Sequence, residues 1–169
     1  MQQVHRLDGL LQRLMAIIQP LDLQPKAVAL REWLQDRVSQ FQDQADQLGV
    51  SLRWRAPDTQ AVFDSNSLGR ALDNLILNAL QYTPSGDGID IDIKCDNGKL
   101  ILSVEDSGSG VPEGDRERIF EPFVTTRADG SGLGLAIVRE VVEAHGGVVR
   151  CENGVKGARF EMELPWRTS

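Results

Sequence analysis

Residues 89–95 alternate without a fault: Ile89, Ile91, Ile93 and Cys95 point one way, Asp90, Asp92 and Lys94 the other. A two-residue period of this kind belongs to a strand with one buried and one wet face. Asp96-Asn97-Gly98 follows as a hairpin turn, and residues 99–105 return as the partner strand. A second alternating pair, residues 148–152 and 159–164, flanks Asn153 and Gly154. Hairpins pair antiparallel. The expected fold is therefore α+β, with a mixed, largely antiparallel sheet carrying helices on one face, and a doubly wound parallel sheet is disfavoured.

The helical segments fall around these strands. Residues 4–18 place Val4, Leu7, Leu11, Leu14, Ile17 and Ile18 near helical spacing, and Pro20 ends the run. Residues 21–29, with Pro25, read as a linker. Residues 30–48 form the next amphipathic helix, stopped by Gly49. Residues 50–55 and 61–63 read as strands. Asp64 or Ser65 caps a helix running to Tyr82. Another covers residues 133–145 and stops at Gly146-Gly147. Residues 113–131 look irregular, with one helical turn near residues 116–119.

A chain of 169 residues holds one domain and a short appendage. Its 25 acidic and 18 basic residues give a net charge of −7, which argues against a nucleic-acid platform. One bound nucleotide is still compatible, because backbone amides and a metal ion can meet its charge. Cys95 and Cys151 form no C-x-x-C motif and are expected to be reduced. No apolar run approaches the ~18 residues of a membrane span, and the polar residues and Asp8 that follow Met1 are not expected to form a signal peptide. The chain is expected to be cytoplasmic and to make no membrane contact, with a membrane-anchored parent left open.

Four short segments carry candidate chemistry. Asn74 and Asn78 sit one turn apart on the helix at 65–82, beside its apolar face. Asn is a weak helix former, so two mid-helix need a reason. One reason is Mg²⁺, which takes oxygen ligands and needs only one or two from the protein. The other is hydrogen bonding of the amides to nearby backbone. Asp106-Ser107-Gly108-Ser109-Gly110 follows a strand; Asp106 could accept from an exocyclic amine while Gly108 and Gly110 let the backbone approach a planar ligand. A plain surface turn would use the same residues. Residues 130–135 read Gly-Ser-Gly-Leu-Gly-Leu and run straight into a helix. Free amides and the helix dipole there favour phosphate; a flexible hinge is the alternative. Neither the P-loop nor the dinucleotide-binding glycine pattern fits. Phe120-Glu121-Pro122-Phe123, then Thr125-Thr126-Arg127, suits a lid with aromatic anchors at its base, or simply core aromatics.

In this order the segments resemble the motifs of bacterial sensor histidine kinases: the N box at residues 74–83, the first glycine box at 106–110, the F box at 120–123 and the second glycine box at 130–135. The resemblance implies the two-layer α/β sandwich shared with type II topoisomerases, Hsp90-type chaperones and mismatch-repair ATPases. It implies ATP and Mg²⁺ as cofactors, with Asn78 and Asn74 on the metal. It places Tyr82 near the adenine, Asp106 on the adenine amino group with Gly108 and Gly110 shaping that pocket, and Phe120 beside the nucleotide. Gly130, Gly132, Gly134 and the amide of Leu133 would line the phosphates, and Thr126 and Arg127 would act from the lid. The implied activity is transfer of the γ-phosphate of ATP to a histidine of the dimerisation domain, for relay to a response regulator.

On that resemblance, residues 1–20 are the end of the second dimerisation-domain helix, 21–29 a linker and 30–167 the catalytic domain. The phosphoacceptor lies outside the chain. His5 is no substitute, being followed by Arg6 where the family has an acidic residue. His145 is expected to cap its helix end. The short lid resembles the nitrogen-regulation subgroup, whose response regulators often activate alternative-sigma-factor promoters. Three positions depart from the family pattern: Gln81 in place of a Lys, Ala158 in place of Thr or Ser, and Asn74 where the ATPase cousins place a Glu base.

Overall fold

The computed structural model describes residues 20–128 and 130–168. The expected helix at 4–18 lies outside them. The described elements, in order, are β1 (Lys26–Ala29), α1 (Leu30–Ser39), α2 (Gln42–Leu48), β2 (Ser51–Arg55), β3 (Gln60–Phe63), α3 (Ser65–Tyr82), β4 (Gly88–Asp96), β5 (Lys99–Glu105), α4 (Gly134–Ala144), β6 (Val148–Asn153) and β7 (Ala158–Pro165), with short 3-10 turns at Glu113–Asp115 and Arg118–Phe120.

The main sheet has five strands in the order β2-β4-β5-β7-β6. Both expected hairpins form, β4 with β5 and β6 with β7, and β5 joins β7 antiparallel. Only β2 pairs parallel, with β4, which makes the sheet mixed. The alternation sorts its two faces. Ile89, Ile91 and Ile93 meet Leu100, Leu102, Val104, Phe160 and Met162 on the helical side, all nearly solvent-free. The outer face carries ion pairs such as Arg53 with Asp90 and Arg55 with Asp92. Burying about ten aliphatic side chains at roughly 1.5–3 kcal/mol each is what fixes this register.

Two segments differ from expectation. Residues 26–29 do not remain irregular; they form β1, antiparallel to β3 in a separate two-stranded sheet. The single helix expected over 30–48 breaks at Gln40 and Phe41. There the Ser39 hydroxyl donates to the Asp36 carbonyl at 2.8 Å, and Gln40 and Phe41 donate to carbonyls three residues back. Such local side-chain bonding competes with the helical ladder.

α3 begins at Asp64, whose Oδ1 accepts from the amides of Asn66 and Ser67 at 3.0 and 2.9 Å. Its buried face is Leu68, Ala71, Leu72, Leu75, Ile76, Ala79 and Leu80, and it packs along α4. The expected role of His145 at the end of α4 holds: Nδ1 contacts the Val141 carbonyl at 2.7 Å, and Nε2 accepts from the Asp64 amide at 3.2 Å. That tautomer ties the end of one helix to the start of the other. No helix of the described residues is long and apolar enough to cross a membrane. Both cysteines are free thiols.

Candidate nucleotide-binding site

The C-terminal half of α3, the segment after β5, and the start of α4 enclose a cleft. Its first lobe, about 470 Å³, is lined by Asp106, Gly110, Val111, Pro112, Ala158 and Phe160 among others. A second lobe of about 320 Å³ holds Asn74, Gln81, Arg127, Gly130, Gly132 and Gly134. Asn78, Tyr82, Thr125, Thr126 and Leu135 border both, so the lobes adjoin. Motifs far apart in sequence thus meet in one groove, with a buried carboxylate at one end and a helix start at the other.

Asp106 is only 2% exposed. Its Oδ1 accepts from the amides of Gly108 and Ala158, each at 2.9 Å. Both bonds fall on one oxygen, which leaves Oδ2 as the acceptor for the cleft. Burial raises the Asp106 pKa, the two amides pull it back, and neighbouring Glu105 adds to the rise. Close approach demands glycine around it. A Cβ on Gly108 would come within 2.8 Å of the Tyr82 carbonyl, and one on Gly157 within 2.7 Å of the Gly108 nitrogen. The loop is also fixed to the end of α3: Ser107 donates its amide to Thr83 Oγ1 at 3.2 Å and its hydroxyl to the Gly88 carbonyl at 2.6 Å.

The backbone-bonding reading of Asn74 holds. Its Nδ2 donates to the Arg70 carbonyl at 3.0 Å. Only the amide nitrogen can serve a carbonyl, so Oδ1 is turned toward the second lobe, beside Gly134. Asn78 borders both lobes one turn further on. Two oxygen donors at this spacing fit a hard divalent cation that takes its other ligands from phosphate and water. Among the described residues no cluster of three His, Cys, Asp or Glu offers an alternative metal site.

At the start of α4, Leu133 supplies no side-chain cap. The Leu133 amide donates to Ser131 Oγ at 3.4 Å, while Gly134 and Leu135, the first residues of this 11-residue helix, line the second lobe, where amides without a side-chain cap suit an anion. Gly132 has φ +67°, and a Cβ there would lie 2.5 Å from the Phe123 carbonyl carbon. Phe123 itself has φ +68° and donates its amide to the Gly132 carbonyl at 2.9 Å, which staples the two ends of the lid together. The Tyr82 hydroxyl meets Thr126 Oγ1 at 3.0 Å and closes the lid onto α3.

Two expected site residues stand back from the cleft. Phe120 is buried, edge-on to Phe160 at 6.0 Å and beneath the Arg139 guanidinium at 5.1 Å; it supports the wall rather than lining it. Leu133 is also core, fully buried, and its amide donates to Ser131 Oγ at 3.4 Å. Of the two lid aromatics, Phe120 is an anchor by burial, whereas Phe123 is 62% exposed. Ala158 lacks a hydroxyl, yet its amide holds Asp106, so the main-chain link survives the departure from the family pattern. Thr83, Gly157 and Asn153 were not foreseen as site residues. Thr83 acts through its hydroxyl, which accepts from the Ser107 amide, and Gly157 through close backbone packing; Asn153 reads in sequence as an ordinary turn residue.

The profile of the histidine kinase-, DNA gyrase B- and HSP90-like ATPase family matches residues 63–168, and the chain belongs to that family. Over 166 residues it is 34% identical to the sensor histidine kinase ZraS of Escherichia coli O157:H7, covering 96% of this chain and 36% of the relative. The chain thus spans about a third of the length of the curated relatives it matches. Among solved structures it resembles full-length ShkA in complex with AMPPNP, with a TM-score of 0.88 at 31% identity, covering 97% of this chain and 36% of that one. It also resembles the histidine kinase ThkA in complex with the response regulator protein TrrA, with a TM-score of 0.85 at 26% identity, covering 99% and 49%.

Proposed function

We propose that this chain is the catalytic part of a sensor histidine kinase. It would bind ATP and pass the γ-phosphate to a histidine on a dimerisation domain, from which a response regulator receives it. The supporting observation is the single groove that joins a buried Asp106 carboxylate to the open amides of α4. Adenine carries an amino group where guanine carries a carbonyl, so an acceptor at Asp106 Oδ2 favours adenine. The triphosphate would then run past Tyr82 and Thr126 to Gly130, Gly132, Gly134 and the Leu133 amide, with Arg127 in the lid.

Asn74 and Asn78 would hold Mg²⁺, which when bound neutralises charge on the phosphates. The protein's own contribution is positioning and electrostatics rather than covalent chemistry. Among the described residues lining the second lobe none is acidic. Asn74 stands where the ATPase cousins place a Glu base, so hydrolysis would be slow and ATP kept for transfer. On the same reading residues 1–20 belong to the dimerisation domain and 30–167 to the catalytic domain. The short lid supports the nitrogen-regulation subgroup and a regulator of the alternative-sigma-factor type.

The test uses γ-labelled ATP with Mg²⁺ and two proteins: this chain, and its parent kinase inactivated at the cleft. Label should appear on the parent's histidine and not on this chain, His5 included. Label on this chain alone, or rapid phosphate release without transfer, would contradict the proposal.

A further inference from the structure

The last rung of the β6–β7 ladder pairs Asn153 with Ala158. Each member holds a different side of the first lobe. The Ala158 amide donates to Asp106 Oδ1. The Asn153 side chain turns to the opposite rim, where its Oδ1 accepts from the Val111 amide at 2.8 Å. Val111 is held at its other backbone atom too, its carbonyl accepting from Arg116 Nε at 3.2 Å. Gly110, with φ +78°, packs so closely on Asn153 that an added Cβ would lie 2.6 Å from Oδ1. Gly110, Val111 and Pro112 form the lip of the lobe.

The rung is itself braced. Glu105 Oε1 accepts from the Lys156 amide at 2.9 Å, and the Gly154 amide donates to the Gly157 carbonyl at 2.8 Å. The β6–β7 turn is thereby pinned to the end of β5, the strand that delivers Asp106. The distance from the carboxylate to the lip is set across one pair of residues, and Asn153 is the side chain that sets it.

We propose that Asn153, outside all four motifs, is a positioning residue for base selection. It fixes the width of the lobe so that a purine is held edge-on to Asp106, and only a base with an amino group there is accepted. This rests on the reading that adenine occupies the lobe. Without the Asn153 acceptor the Val111 amide turns to water, the lip moves out, and a base can shift away from the carboxylate.

Adenosine is the probe, because it lacks phosphates and has no net charge. Calorimetric titrations compare wild type, Asn153→Leu and Asn153→Asp in this chain, with guanosine as competitor and thermal melts as a check on folding. Asn153→Leu should bind adenosine about tenfold more weakly, the scale of one lost hydrogen bond, and its preference over guanosine should shrink. The ratio of ATP to adenosine affinity should stay at the wild-type value, since the second lobe is untouched. Asn153→Asp keeps an acceptor in the same place and should restore adenosine binding. If Asn153→Leu folds and binds adenosine as wild type does, or if Asn153→Asp is folded but no better than Asn153→Leu, the proposal is wrong. Failure of wild type to bind adenosine at all would instead sink the nucleotide reading beneath it.

Discussion

Asp106→Asn should move stability and binding in opposite directions. The substitution keeps an oxygen where the Gly108 and Ala158 amides donate at 2.9 Å, so the loop retains its shape. The other atom changes from acceptor to donor and faces the amino group of the base. A hydrogen bond to a charged group contributes about 1.5–3 kcal/mol, and two donors left facing each other cost about 1–3 kcal/mol more. Taking about 4 kcal/mol in total, adenosine affinity should fall roughly a thousandfold. Stability follows a different sign. Burial raises the Asp106 pKa, so the ionised form is disfavoured in the folded state relative to the unfolded one. At neutral pH that charge opposes folding, and stability climbs as pH falls through the raised value toward the unfolded one. D106N removes the charge and should melt no lower than wild type at pH 7, with a weaker rise on mild acidification. Calorimetry with adenosine and ADP, beside melts from pH 4 to about 8, reads both effects. A folded D106N that binds adenosine within a few-fold of wild type would refute the reasoning.

Three further outcomes follow from the same geometry. At Asp64 burial pushes the pKa up, but the amides of Ser67, Gln24 and Asn66 outweigh it and hold the carboxyl below its usual range. Its contribution is present above the unfolded value near ~3.9 and lost as pH falls through the folded value; Asp64→Ala should cost about 1–2 kcal/mol at pH 7 and flatten that acid limb in urea titrations. Gly132→Ala forces a side chain into φ +67° against the Phe123 backbone; the advantage of ATP over adenosine should drop at least about tenfold while adenosine itself binds normally, and equal loss for both ligands would speak against a phosphate role. Burial pushes the Cys151 thiol up to about 12, so a thiol reagent at pH 8 should label it only as fast as the protein opens; prompt labelling of the native chain would place it outside the core.

Much of the frame was legible in the sequence because its signals are periodic. The alternation from Ile89 to Cys95 and the Asn97-Gly98 turn dictate a hairpin, and the 3.6-residue spacing from Leu68 to Leu80 dictates α3. What failed to show lacks a period. β1 follows a proline and has four residues, too few to alternate visibly, and its pairing with β3 joins positions more than 30 residues apart. The break at Gln40 is marked by one hydroxyl bond, from Ser39 to the Asp36 carbonyl, which has no period. In the site, glycines and Asp106 could be found because the types they require are rare choices. Asn153 could not, because the Val111 amide it serves is 42 positions away and nothing local records the contact. The two readings of Phe120 could not be separated for the complementary reason: a buried phenylalanine and a ligand-facing one look alike in sequence.

The most direct measurement is a crystal structure of this chain with a non-hydrolysable ATP analogue and Mg²⁺. The account predicts the adenine amino group on Asp106 Oδ2, the metal on Asn78 and Asn74, and the phosphates on the amides at the start of α4. A nucleotide bound with its base away from Asp106, or its phosphates outside the lobe of Gly130 and Gly132, would contradict it.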